Sequence, residues 1–136
     1  MKKIITIVML YLVSLTCLAE HAVIMHPSSS ETLDTGNIAK IFLGKTKTFP
    51  SGERALPINQ DNSQAIRKDF DEKVLNKSTS QIKAYWSKRI FTGKGTPPED
   101  VANAAEVIDL VANNTNAIGY IDASLVTDAV KVVAKF

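Results

Sequence analysis

Asp61-Asn62-Ser63-Gln64 follows a short apolar segment, Ala55, Leu56 and Ile58, and precedes a stripe of Ile66, Phe70 and Val74 at helical spacing. The pattern is a strand, a polar turn and a helix start. Asp61 with Gln64 three positions on fits a capping box, which would place the helix N-terminus at the turn. Small polar residues at a helix N-terminus present free backbone N–H groups and the positive end of the helix dipole. That arrangement suits an anion, with Asp61, Asn62, Ser63 and Gln64 as candidate binding residues. Ser28 and Ser29 are weaker candidates. They follow Ala22-Val23-Ile24-Met25, an apolar run that reads as a buried, parallel strand. Ligands in open α/β sheets bind just past the carboxyl ends of strands.

Other residue types with reactive chemistry are sparse. Beyond residue 19 the chain has no Cys, and its two His are His21 and His26. His26 lies beside Pro27 and reads as a strand-end residue. There is no metal-ligand spacing and no pairing of acids that marks a general acid and base, so the expectation is a binding protein without enzymatic activity or cofactor. Gly93-Lys94-Gly95-Thr96 is Gly-rich but lacks the spacing of a phosphate-binding P-loop.

The elements that must position these residues follow from periodicity. Lys2 and Lys3, the apolar run Ile4 to Leu15 and Cys17-Leu18-Ala19 read as a signal peptide over residues 1–19, cleaved after Ala19. The implied location is the periplasm. Residues 20–136 then form one domain. Removing Lys2 and Lys3 leaves basic and acidic residues in equal number, which argues against a nucleic-acid partner. The chain of 136 residues is 45% apolar and 22% charged, a balance that supports a packed core and excludes disorder.

Asp34 predicts the cap of a helix running to about Leu43, ended by Gly44. Ser78 with Gln81 is a second capping box, ahead of Ile82, Tyr85, Trp86 and Ile90 at helical spacing. Trp86 within that stripe reads as core rather than as a stacking platform. Thr96 with Glu99 reads as a third box, with Pro97 at the first helical position. The helix it opens would carry Val101, Ala105, Ile108 and Val111. Ala117 to Ile121 is a strand, and Ala129 to Phe136 an edge strand. Strands alternating with helices predict an α/β fold with a mostly parallel sheet and flanking helices.

Three phrases add a resemblance. Ile41-Phe42-Leu43-Gly44-Lys45, Ala117-Ile118-Gly119-Tyr120-Ile121, and Trp86 with Ile90-Phe91-Thr92-Gly93-Lys94-Gly95-Thr96-Pro97-Pro98 resemble phrases of phosphate-type periplasmic substrate-binding proteins of ABC transporters. The resemblance implies one lobe of a type II periplasmic-binding-protein fold and a phosphate-like small-anion ligand. In that family the central turn carries Arg, Asp and Gly-Ser-Gly-Thr. Asp61 and Ser63 match the Asp and Ser. Asn59 stands where the Arg would be, and Asn62, Gln64 and Ala65 replace the Gly residues and the Thr. Loss of the Arg removes a bidentate cation for the anion. A single lobe also supplies half the usual contacts, which a homodimer, a membrane transporter or a sensor protein would complete. The alternative is a protein-interaction or sensor-accessory module that keeps the fold around a degenerate site.

Overall fold

The computed structural model describes residues 20–136. The signal-peptide expectation falls on residues 1–19 and lies outside the described residues. The elements are β1 (His21–Met25), α1 (Thr35–Phe42), β2 (Leu56–Gln60), α2 (Ala65–Lys73), α3 (Thr79–Phe91), β3 (Glu99–Val101), α4 (Ala104–Asn113), β4 (Ala117–Asp122), a short 3-10 turn (Ala123–Leu125) and β5 (Lys131–Lys135). The strands form one sheet in the order β3-β2-β4-β1-β5.

The α/β layering expected from the sequence is present, with a correction to strand direction. β2 pairs in parallel with β3 and β4, but β1 is antiparallel to both β4 and β5. The sheet is therefore mixed rather than mostly parallel. An apolar run buried on both faces does not encode direction, because either pairing hides the same side chains.

Alternation along the strands builds a core on each face of the sheet. Val23 and Met25 of β1 join Ile118 and Tyr120 of β4 beneath α1, α2 and α3. Ala22 and Ile24 point the other way and join Ile58, Ile121, Val107 and Val111, under α4. Gly119 is what lets α4 come so close. A Cβ placed there would sit 2.6 Å from Cγ1 of Val107.

The predicted caps at Asp34 and Ser78 are present. Asp34 and Asn37 form a reciprocal box at α1, and Ser78 and Gln81 form another at α3. Trp86 is buried, as expected. It packs against Gly44, whose Cβ would meet the indole at 2.8 Å and whose φ of +67° lies in the left-handed region. β5 lies at the sheet edge, where the final strand was expected.

The other two boxes are corrected. Glu99–Val101 is not a helix start but the edge strand β3, in register with Ile58, Asn59 and Gln60. The following helix is capped instead by Asn103, whose side chain accepts from the Glu106 N–H at 3.1 Å. At the central turn, α2 begins at Ala65, and its N-cap residue Gln64 makes no side-chain capping bond. Gln64 Nε2 donates to the Ala102 carbonyl at 3.0 Å instead, tying the turn to the segment after β3.

Candidate functional site

β2 runs into the central turn with its last residues buried. Ile58, Asn59 and Gln60 are buried, whereas Asp61, Asn62 and Ser63 are exposed. The Asp61 N–H donates to the Val101 carbonyl at 2.8 Å, which continues the β2–β3 ladder by one bond. The Asp61 carboxylate then accepts from the Ser63 N–H at 2.9 Å, and the Gln64 N–H donates to the Asp61 carbonyl at 2.9 Å. This is an Asx turn closing a tight bend. Hydrogen bonding from Ser63 holds the Asp61 carboxyl below its usual range. The N–H groups of Asn62, Ala65 and Ile66 make no hydrogen bond among the described residues. They are the donors the turn offers at the start of α2.

Asn59, at the position where the resemblance implies an Arg, faces inward. Its Oδ1 accepts from the Tyr120 hydroxyl at 2.8 Å, and Gln60 Nε2 donates to the Tyr120 carbonyl at 2.9 Å. The Tyr120 ring stacks on Phe70 with centroids 4.0 Å apart and planes 8° from parallel. Burial pushes the Tyr120 hydroxyl far up, so it remains a neutral donor.

Sequence reasoning missed Arg67. It lies on α2 and is buried, with its guanidinium turned back toward the end of β2. Nη1 donates to the Gln60 carbonyl at 2.9 Å and to Asp100 Oδ1 at 3.0 Å, and Nε lies 3.3 Å from both oxygens of Asp71. Nη2 has no protein partner among the described residues. The available signal was the Arg67/Asp71 spacing of four, which places both on one helix face. Burial raises the Asp71 carboxyl and outweighs the opposing pull of Arg67.

Arg67 and Asn62 line a cleft of about 240 Å³ together with Asn59, Thr79, Lys83 and Trp86. The structure thus gathers the turn, a buried guanidinium and α3 around one concavity. Its strong cation already carries two carboxylates, one buried (Asp71) and one at the rim (Asp100).

Ser28 and Ser29 are not part of this cluster. Met25 pairs with Ile118, and Ile118 pairs with Pro57, so β1 ends beside the start of β2 and not beside its end. The serines follow at the opposite end of the sheet from Asp61. There the Ser28 N–H donates to His26 Nδ1 at 3.1 Å, and the Ser29 carbonyl accepts from Lys131 at 2.8 Å. Among the described residues no group of three or more His, Cys, Asp or Glu side chains converges as a metal site would require.

No family model matches the sequence. No curated protein is similar to it either. Solved structures do match. A protein of Clostridium perfringens, described as a phosphate ABC transporter substrate-binding protein and solved with bound phosphate, superposes with a TM-score of 0.67 at 20% identity, covering 85% of this chain and 45% of that one. An ABC-type phosphate transport receptor from Vibrio cholerae gives 0.66 at 16% identity, over 85% and 46% of the two chains. PstS from Borrelia burgdorferi gives 0.63 at 19% identity, over 85% and 47%. The chain spans less than half the length of each. Over most of its own length, it has the fold of one part of the phosphate substrate-binding proteins of ABC transporters.

Proposed function

We propose that this protein is an exported, non-enzymatic binding domain that takes phosphate or a similar small anion at the start of α2 and serves a membrane transporter in the periplasm. The fold it shares with phosphate-binding proteins supports the substrate-binding part of this reading. The single observation that carries the site is the placement of Arg67. Arg67 lines the same cleft as Asn62, and its Nη1 is bonded to the carbonyl of Gln60, the residue just before the turn. A guanidinium reaching back from α2 supplies charge near the position where Asn59 replaces the expected Arg. Asp61, Ser63 and Gln64 shape the turn, and Asn62 adds a side-chain donor.

The test is a thermal shift of the protein with phosphate, with sulfate and with chloride at fixed ionic strength. A native-state ligand raises the melting temperature by mass action. The expected result is a rise with phosphate that disappears in the Asn62→Ala/Ser63→Ala variant, whose ligand-free melting temperature stays close to that of the parent.

A second reading is a protein-interaction module. It is favoured by the two carboxylates already on Arg67 and by the Asn59–Tyr120 hydrogen bond, which together leave the cleft with little net positive charge. Absence of a shift with any anion supports this reading over the first.

A further inference from the structure

Three cations without a partner among the described residues stand together at the other end of β2. A cleft of about 600 Å³ opens between the loop after α1 and the loop after α3. Its floor is apolar, with Ile41, Leu56, Pro57, Pro97 and Pro98. Lys47, Arg54 and Lys94 stand around it, and none of the three is in an ion pair or a side-chain hydrogen bond among the described residues. Glu99 is the one carboxylate among its lining residues.

The two walls are fixed to each other. Arg89 Nη2 donates to the Gly44 carbonyl at 3.3 Å on one wall and to the Lys94 carbonyl at 3.1 Å on the other. The groove is therefore formed before anything binds, which lowers the ordering cost of binding. The strand edge beside it is open, because β3 pairs only with Ile58, Asn59 and Gln60 and stops short of Leu56 and Pro57.

Two exposed apolar side chains stand at the end of α3, just before the residues that line the cleft, and Ile90 also lines the cleft at Asn62. Phe91, the last residue of α3, is 92% exposed, and Ile90 beside it is 55% exposed. They immediately precede the turn that places Gly93 and Lys94 in the cleft wall.

We propose that this groove docks an acidic segment of a partner protein that carries an aromatic or aliphatic anchor residue. Charge complementarity selects the acidic chain, since three unpaired cations face one carboxylate. The apolar floor and the exposed Phe91 select a chain with an apolar side chain over an inorganic anion, which would leave both uncovered. Pro97 and Pro98 line both this groove and the cleft at Asn62, but none of Lys47, Arg54, Lys94 or Phe91 lines that cleft, so the inference does not depend on phosphate binding there.

The test uses isotope-labelled protein titrated with a synthetic peptide of Asp and Glu around one central Phe. A peptide with Lys in place of the acids and pyrophosphate alone serve as comparisons. The expected result is saturable amide shifts confined to the neighbourhood of Lys47, Arg54, Leu56, Phe91 and Lys94, with the Lys peptide inert. Lys47→Ala/Arg54→Ala/Lys94→Ala should weaken the acidic peptide about tenfold or more, and Phe91→Ala by about fivefold, the scale of one lost apolar anchor. All four side chains project from exposed positions, and an unchanged circular dichroism melt verifies that the variants fold. Failure of the acidic peptide to saturate at millimolar concentration, or shifts centred elsewhere, overturns the proposal. So does pyrophosphate that matches the peptide in shifts and affinity, with Phe91→Ala without effect. The Asn62→Ala/Ser63→Ala variant should bind the peptide as the parent does, which separates this outcome from that of the phosphate test.

Discussion

Arg67 and Asp71 stand one turn apart on α2, and the guanidinium Nε sits equidistant from both carboxylate oxygens at 3.3 Å, with the Asp71 side chain inaccessible. A buried ion pair adds little over an apolar pair of the same shape, but removing one member leaves the other stranded. Arg67→Met should therefore destabilise by about 3–5 kcal/mol. Arg67→Lys should recover part of this, because an ammonium cannot serve Gln60, Asp71 and Asp100 with one fixed fork. Urea unfolding of the two variants checks both values.

The same pair predicts a pH signature. Burial raises the Asp71 carboxyl above 3.8, its value in an unfolded chain. Just above 3.8 the folded protein still holds the proton that the unfolded chain has released. The contribution of Asp71 to stability therefore falls as the pH rises through that window. Asp61 and Asp122, whose carboxyls are lowered, act oppositely, and their contributions are lost as the pH falls. Subtracting the stability of Asp71→Asn from that of the parent isolates Asp71. That difference should decline between about pH 4 and the raised titration point, and a flat or rising difference would contradict the placement of Asp71.

Trp86 fills the space under the Gly44 turn and meets Tyr85 edge-on at 5.2 Å. Trp86→Ala should cost about 3–5 kcal/mol in chemical denaturation, as for other buried aromatics.

Gly119→Ala tests the spacing between α4 and the sheet. The added methyl would overlap Val107, a fully buried side chain, so that side chain or the helix carrying it must shift. A loss of about 1–3 kcal/mol is expected. The double variant Gly119→Ala/Val107→Ala should recover the overlap component, measured as non-additivity in a mutant cycle.

Ser78→Ala and Thr96→Ala make a paired test of caps. Ser78 accepts from the Gln81 N–H at 3.1 Å and opens α3, so its loss should cost about 1 kcal/mol. Thr96 precedes an edge strand and caps no helix, so its replacement should stay within about 0.5 kcal/mol in the same melt.

These two residues also show what the sequence could reveal. Ser78 and Asp34 act through partners three residues away, and their helices carry apolar stripes, so pattern and structure agree. Thr96-Pro97-Pro98-Glu99 has the same local signature, yet Glu99–Val101 pairs with β2, a partner distant in sequence. Three residues are too few for alternation to declare a strand. The direction of β1 was hidden for a related reason, since its neighbours come from the far end of the chain. The turn at Asp61 was visible as a turn, but Asp61 folds back on Ser63 rather than capping α2, a choice that local spacing does not separate. Arg67 escaped notice because a charged residue in a polar helix reads as exposed. Only the fold shows that it points at Gln60 and Asp100.

β1, the first strand of the described chain, lies between β4 and β5, the last two. The ladder ends with the backbone of His21 and Phe136 exchanging hydrogen bonds at 3.0 and 2.9 Å. The consequence concerns time. β1 cannot find either neighbour until residues 117–135 have been made, so it stays unpaired while residues 26–116 emerge. Pairings of such long range slow folding.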